Sequence, residues 1–89
     1  MTRIVIKRLV WDSYNIEYIK KHGVTEEEVE NAVKLIKYHK HTRNQRYLVV
    51  CESDKRPVTI IVARKLLNTY YVVSARTAKR SERKWNYDK

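Results

Sequence analysis

The alternation of apolar and polar positions changes period several times along the chain, and each change predicts an element. Residues 3–11 are rich in β-branched side chains (Ile4, Val5, Ile6, Val10) with no breaker, which predicts a strand. Asp12 and Ser13 bring N-cap chemistry, and residues 14–22 read as a short helix. Gly23, the only glycine, falls where a helix C′ residue needs positive φ. Thr25 and Glu28 then form a T-x-x-E capping box, each side chain placed to satisfy the other's backbone N–H. Val24 and Val29 stand at the positions of a hydrophobic staple, and Val29, Ala32, Val33 and Ile36 recur at helical spacing. The pattern predicts a helix over residues 26–37. Residues 38–45 are polar and read as a loop. Strand patterns follow at 46–52, 58–64 and 69–75, separated by turns at 53–57 and 65–68. The run 58–64 is almost continuously apolar, as in a strand covered on both faces. Thr77 offers a cap for a last helix that reaches about Tyr87.

The predicted order is β-α-α-β-β-β-α. Connections this short cannot cross over between parallel strands, so the last three strands form an antiparallel meander. The two early helices must bury their apolar stripes on one face of that sheet, with a short C-terminal helix closing an α+β fold. With 89 residues and no repeat or linker, residues 1–89 make a single domain of modest stability.

Charge narrows the class of partner. There are 20 Lys and Arg against 10 Asp and Glu, a net charge of +10. Residues 1–30 hold five basic and six acidic side chains, while residues 31–89 hold fifteen and four. One basic cluster comprises Lys34, Lys37, Lys40, Arg43 and Arg46, with His39 and His41 among them. Another runs from Arg76 to Lys89 and includes Lys79, Arg80, Arg83 and Lys84, against only Glu82 and Asp88. Tyr38, Tyr47, Trp85 and Tyr87 stand beside these clusters, a combination that favours nucleic acid over a plain solvated face. A membrane surface fits less well, because neither cluster backs onto a long apolar helix face. No run approaches the roughly 18 apolar residues of a membrane span, and Lys7 and Arg8 interrupt the early apolar stretch. A lone Cys excludes an intrachain disulfide and a cysteine-only zinc site and suits a reducing compartment, so a cytoplasmic protein is expected.

Most catalytic chemistries lack their residues. His39 and His41 lie two apart with no H-E-x-x-H, C-x-x-C or carboxylate cluster, so no metal and no cofactor is expected. Cys51 falls mid-strand, where a small core side chain is the ordinary role. One glycine cannot build a phosphate loop, and Glu26, Glu27 and Glu28 suit a helix first turn. What remains is basic. Arg64 ends one central strand and Arg76 the next, and antiparallel pairing need not bring them to one end of the sheet. Arg76, Arg80 and Arg83 are spaced to share one side of a helical turn. They read either as salt-bridge partners of the acidic first half, for example Glu17 or Glu26, or as a cationic cradle for a phosphodiester. Metal-free RNA cleavage also needs proton carriers, for which Glu82, His22 and Tyr87 are the titratable candidates. His22 has a plainer role open to it, at a helix C-terminus where the dipole favours imidazolium.

Several segments together resemble one family. Val10-Trp11-Asp12, Asn15, Lys21-His22-Gly23-Val24-Thr25 and Glu27-Glu28-Val29-Glu30 are similar to the start of the BrnT-type toxins of type II toxin–antitoxin modules. Arg46-Tyr47-Leu48-Val49-Val50 is similar to the family's first meander strand. Val73-Ser74-Ala75-Arg76, Ala78 and Glu82-Arg83 follow its closing S-A-R-x-A-x-x-x-E-R pattern, with Tyr87 near its terminal Tyr. The resemblance spans about residues 8–87 and departs at the meander turns, where Ser53 to Pro57 and Lys65 to Asn68 replace glycine-rich turns. It implies a RelE-like fold and a metal-independent endoribonuclease toxin that cuts RNA, on or off the ribosome, to stop translation. It also implies a cognate antitoxin, and a homodimer or a toxin–antitoxin heterotetramer. On that resemblance the catalytic candidates are His22, Arg64, Arg76, Glu82 and Arg83. Lys79, Arg80, Lys84, Tyr87 and Arg46 are the candidates for binding RNA. The alternative is a non-catalytic RNA- or DNA-binding module of the same fold.

Overall fold

The computed structural model describes residues 4–53 and 56–84, with side chains through Glu82. The elements are β1 (Arg8–Val10), α1 (Ser13–Lys20), α2 (Glu26–Ala32), β2 (Ile36–His41), β3 (Arg46–Cys51), β4 (Val58–Leu66), β5 (Thr69–Thr77) and α3 (Arg80–Lys84). The strands form one sheet in the order β1-β5-β4-β3-β2. β2 to β5 are an antiparallel meander, and β1 pairs parallel to β5 at the far edge.

The start signals work largely as the sequence predicts. Asp12 caps α1 by accepting the Asn15 N–H at 2.9 Å, and Asn15 Oδ1 accepts the Asp12 N–H at 2.9 Å. The buried Asn15 amide also donates to Val10 O (2.9 Å) and Val72 O (3.1 Å), which ties the helix to β1 and β5. Gly23 takes φ +77°, and the bonds Gly23 N to Lys20 O and Val24 N to Ile19 O close α1 in a Schellman pattern. At α2 only half of the expected box forms. Thr25 Oγ1 accepts the Glu28 N–H at 3.1 Å, but the Glu28 carboxylate turns to Arg56 at 2.9 Å.

Three expectations are corrected. α2 stops at Ala32, and residues 36–41 are a fourth meander strand where a helix end and a loop were expected. Ile36 fits the helical spacing, yet it reaches the same core from a strand, paired with Cys51. The hairpin into β3 turns on Asn44 and Gln45, both at positive φ (51° and 63°), with Arg46 N bonded to Arg43 O at 2.9 Å. That is a primed turn built without glycine, which hid it. Likewise Thr77 caps no helix. It ends β5, and α3 begins at Arg80. The expected strand at 3–11 contracts to Arg8–Val10, because only there does the chain meet β5.

The two faces of the sheet differ. Val49, Cys51, Val58, Ile60, Val62, Tyr70, Val72 and Ala75 pack with Ile19, Val24, Val29 and Ala32 from the helices. Opposite, Thr59 is fully buried beneath α3, while Leu48, Ile61 and Ala63 are only half-buried. Among the described residues no helix is long and apolar enough to cross a membrane.

Candidate active site

The basic candidates separate into two places. At one end of the sheet, β5 delivers Arg76 opposite Thr59 of β4. The chain is then pinned by Ala78 N to Pro57 O (3.0 Å), and the first turn of α3 swings Glu82 back over the strands. The Glu82 carboxylate is 4% exposed and receives four donors. Thr59 Oγ1 (2.8 Å), Lys79 N (2.7 Å) and Arg76 Nη1 (2.9 Å) donate to Oε1, and Arg76 Nη2 (2.8 Å) donates to Oε2. Burial alone pushes this carboxyl up, but the Arg76 guanidinium, the Lys79 amide and the Thr59 hydroxyl outweigh it and hold it at about 2. Arg76 is raised in turn, chiefly by its bonds to Glu82. Glu82 therefore holds the Arg76 side chain in place. A carboxylate so acidic is a weak proton acceptor, and its oxygens are occupied. The ion pair foreseen between Arg76 and Glu17 or Glu26 is replaced by this local one. Lys79 and Arg80 are exposed beside it. Arg83 and Lys84 lie on α3 with side chains outside the described residues, as is the whole of Tyr87.

Arg64 is elsewhere. It pairs with Tyr70, six positions along β5 from Arg76, about 20 Å at the rise of a strand. It also continues the row of Ile60 and Val62 on the helix-bearing face, whereas Arg76 shares the opposite face with Thr59. Around Arg64 the fold adds Tyr70 to His41 and Tyr47, which the sequence already sets in and beside one basic cluster. The Tyr70 ring stands edge-on to Tyr47 at 6.0 Å, and Tyr47 meets His41 at 5.0 Å. This wall crosses from β5 through β4 and β3 to β2. Burial raises the Tyr70 hydroxyl, Arg64 opposes that, and Tyr47 adds to it, so Tyr70 remains a donor at neutral pH. Arg46 is exposed at the same end, opposite Ala63. His22 joins neither group. It follows α1, exposed, with its ring edge-on to Tyr18 at 5.3 Å.

The missing signal was the β2–β3 hairpin. The turn on Asn44 and Gln45 carries one bulged residue, with Thr42 N bonded to Arg46 O at 2.9 Å, and that register sets His41 opposite Tyr47. Among the described residues no group of three or more His, Cys, Asp and Glu is placed to hold a metal ion. A cavity of about 350 Å³ lies between the α1–α2 turn and the β3–β4 connection, lined in part by Glu27, Glu28, Glu52 and Arg56. Three carboxylates against one guanidinium do not suit a polyanion, so it is no part of this site.

A five-stranded sheet with two helices on one face and a short helix on the other makes the α+β, RelE-like fold expected from the sequence. In particular, the chain is similar to the crystal structure of the Brucella abortus ribonuclease toxin BrnT, with a TM-score of 0.68 over 82% of this chain and 97% of that one. The two are 18% identical, and the likeness is one of fold. No family model and no curated protein matches the chain in sequence.

Proposed function

We propose that the protein is the toxin of a toxin–antitoxin pair and cleaves RNA at the end of the sheet that carries Arg64, Tyr70, Tyr47 and His41. The observation that carries this reading is the convergence of a guanidinium, an imidazole and two tyrosines at one exposed end of a ribonuclease-toxin fold. Arg64 holds the non-bridging oxygens of the scissile phosphate and stabilises the charge that builds on them. His41 takes the proton of the 2′ hydroxyl, since imidazoles exchange protons near neutral pH. The 2′ oxygen forms a bond to phosphorus, the bond to the 5′ oxygen breaks, and water protonates the leaving oxygen. The products are a 2′,3′-cyclic phosphate and a 5′ hydroxyl. Tyr47 stacks a base, and Arg46 holds a neighbouring phosphate. Lys79 and Arg80, with Arg83, Lys84 and Tyr87 beyond the described side chains, extend RNA binding to the other end. None of these steps requires a metal.

An acidic antitoxin would relieve the self-repulsion of a +10 chain in the cytoplasm, and saturating antitoxin should raise its melting temperature. The rival reading is a non-catalytic nucleic-acid-binding module, favoured by the engagement of Glu82 with Arg76. Incubation with total RNA in EDTA separates the two. Cleavage that disappears in Arg64→Ala and His41→Ala variants with unchanged melting supports the proposal. Salt-sensitive binding without cleavage supports the module. Cleavage lost only in Arg76→Ala moves the chemistry to the other end.

A further inference from the structure

The β4–β5 hairpin carries a feature that catalysis at Arg64 does not use. Leu66 and Leu67 project at its tip, 71% and 75% exposed. The tip is also firmly held. Asn68 takes φ 61° to make the turn, and its carbonyl accepts both Lys7 N (2.9 Å) and Arg8 N (3.1 Å). Two leucines are thus fixed as prongs.

The surroundings of the prongs are cationic. Lys7, Arg8, Arg43, Arg46, Arg64 and Lys65 are all exposed. Backbone bonds bring them to this end of the sheet: Asn68 O to Lys7 and Arg8, Arg46 N to Arg43 O, and Arg64 N to Gln45 O. Residues 31–51 and 56–81 contain no carboxylate. Asp12 accepts the Tyr71 hydroxyl at 3.0 Å, and Lys65 lies over that same ring.

We infer that the Leu66–Leu67 tip is a wedge that enters an opened base step of RNA while the surrounding cations grip the flanking phosphates. The substrate class is RNA in which a helix meets a loop. An uninterrupted duplex offers no open step, and an unstructured strand has no junction for two prongs to occupy. Two leucines are too little apolar surface to anchor in a bilayer. The inference rests on the reading of the protein as an RNA-directed toxin.

The test uses the full chain and 2′-O-methyl RNA, in which 2′ attack is blocked and binding is read alone. A stem–loop carries 2-aminopurine at its closing step, beside an uninterrupted duplex and an unstructured strand. The native protein should bind the stem–loop about tenfold more tightly than the duplex and brighten the 2-aminopurine as it unstacks. Leu66→Ser/Leu67→Ser should lose both effects yet keep the salt dependence of duplex binding. Leu67→Trp should keep the preference, which controls for damage to the turn. Retention of the preference and of the brightening in the double serine variant overturns the inference. So does a tip whose loss abolishes sedimentation with anionic vesicles, or self-association, while the stem–loop preference survives. Absence of any salt-sensitive RNA binding by the native protein instead overturns the toxin reading beneath it.

Discussion

The two ends of the sheet treat arginine in opposite ways. Arg76 is clamped by a buried carboxylate that has given all its acceptor capacity to four donors. Arg64 stands exposed against rings, with Tyr70 buried behind it and no carboxylate paired to it among the described residues. The first arrangement holds a chain end to the sheet. The second leaves a charge available to a ligand. A guanidinium whose fork is filled by a protein carboxylate has little left for a phosphate, so similar residues at neighbouring strand ends serve different purposes.

The contrast breaks most sharply with Arg64→Ala. Loss of one transition-state contact should cost about 100- to 1,000-fold in RNA cleavage, while the melting temperature moves by no more than a few degrees. A large loss of stability with cleavage intact would reverse the assignment. Glu82→Ala should do the converse. Its carboxyl lies at about 2 in the fold against an ordinary 4.5, which corresponds to about 3 kcal/mol of stability. The unfolded chain takes up this proton first on acidification, so the contribution is whole above about pH 4.5 and drains as pH falls toward 2. Thermal melts should show a drop of roughly 15 °C at neutral pH, with the native and variant curves converging in acid. The buried Cys51 thiol, pushed up to about 12 by desolvation, gives a second readout, since alkylation should accelerate in the variant as the fold opens more often.

A finer cut is Thr59→Val, which removes one of the four donors and nothing else of similar size. About 1 kcal/mol should be lost, read as a shift of roughly 5 °C. The smallest effect belongs to Arg46→Ala. Loss of a single phosphate contact should leave melting unchanged and flatten the salt dependence of RNA binding by just under one unit of log–log slope. An equal flattening in Lys79→Ala would show that RNA spans both ends.

Where local chemistry decides, the sequence was readable. Asp12 with Asn15, Gly23 at φ +77° and Thr25 over Glu28 each act within a few residues, and the helix starts and the turn fell where these residues stand. β2 was not readable for the same reason in reverse. Its pattern of Lys and His looks like a loop, because an edge strand keeps cations on its open side, and its turn uses Asn44 and Gln45 in place of glycine. The site suffered more than the fold. The S-A-R-x-A-x-x-x-E-R resemblance puts Arg76 and Glu82 in one motif but does not say that they are bound to each other. The wall of His41, Tyr47 and Tyr70 depends on register across four strands, from β5 through β4 and β3 to β2, and β2 does not show in the sequence.

The side chain of Asn15 spans 57 positions of sequence to reach Val72, and β1 pairs with a strand made just over sixty residues later. During synthesis the first strand and helix must therefore wait, unanchored, until β5 has emerged. The β2–β3 and β3–β4 hairpins can zip locally as they appear, whereas the edge formed by β1 and α1 docks last, against a meander already built. A nascent chain of this protein is without its finished fold until β5 has left the ribosome.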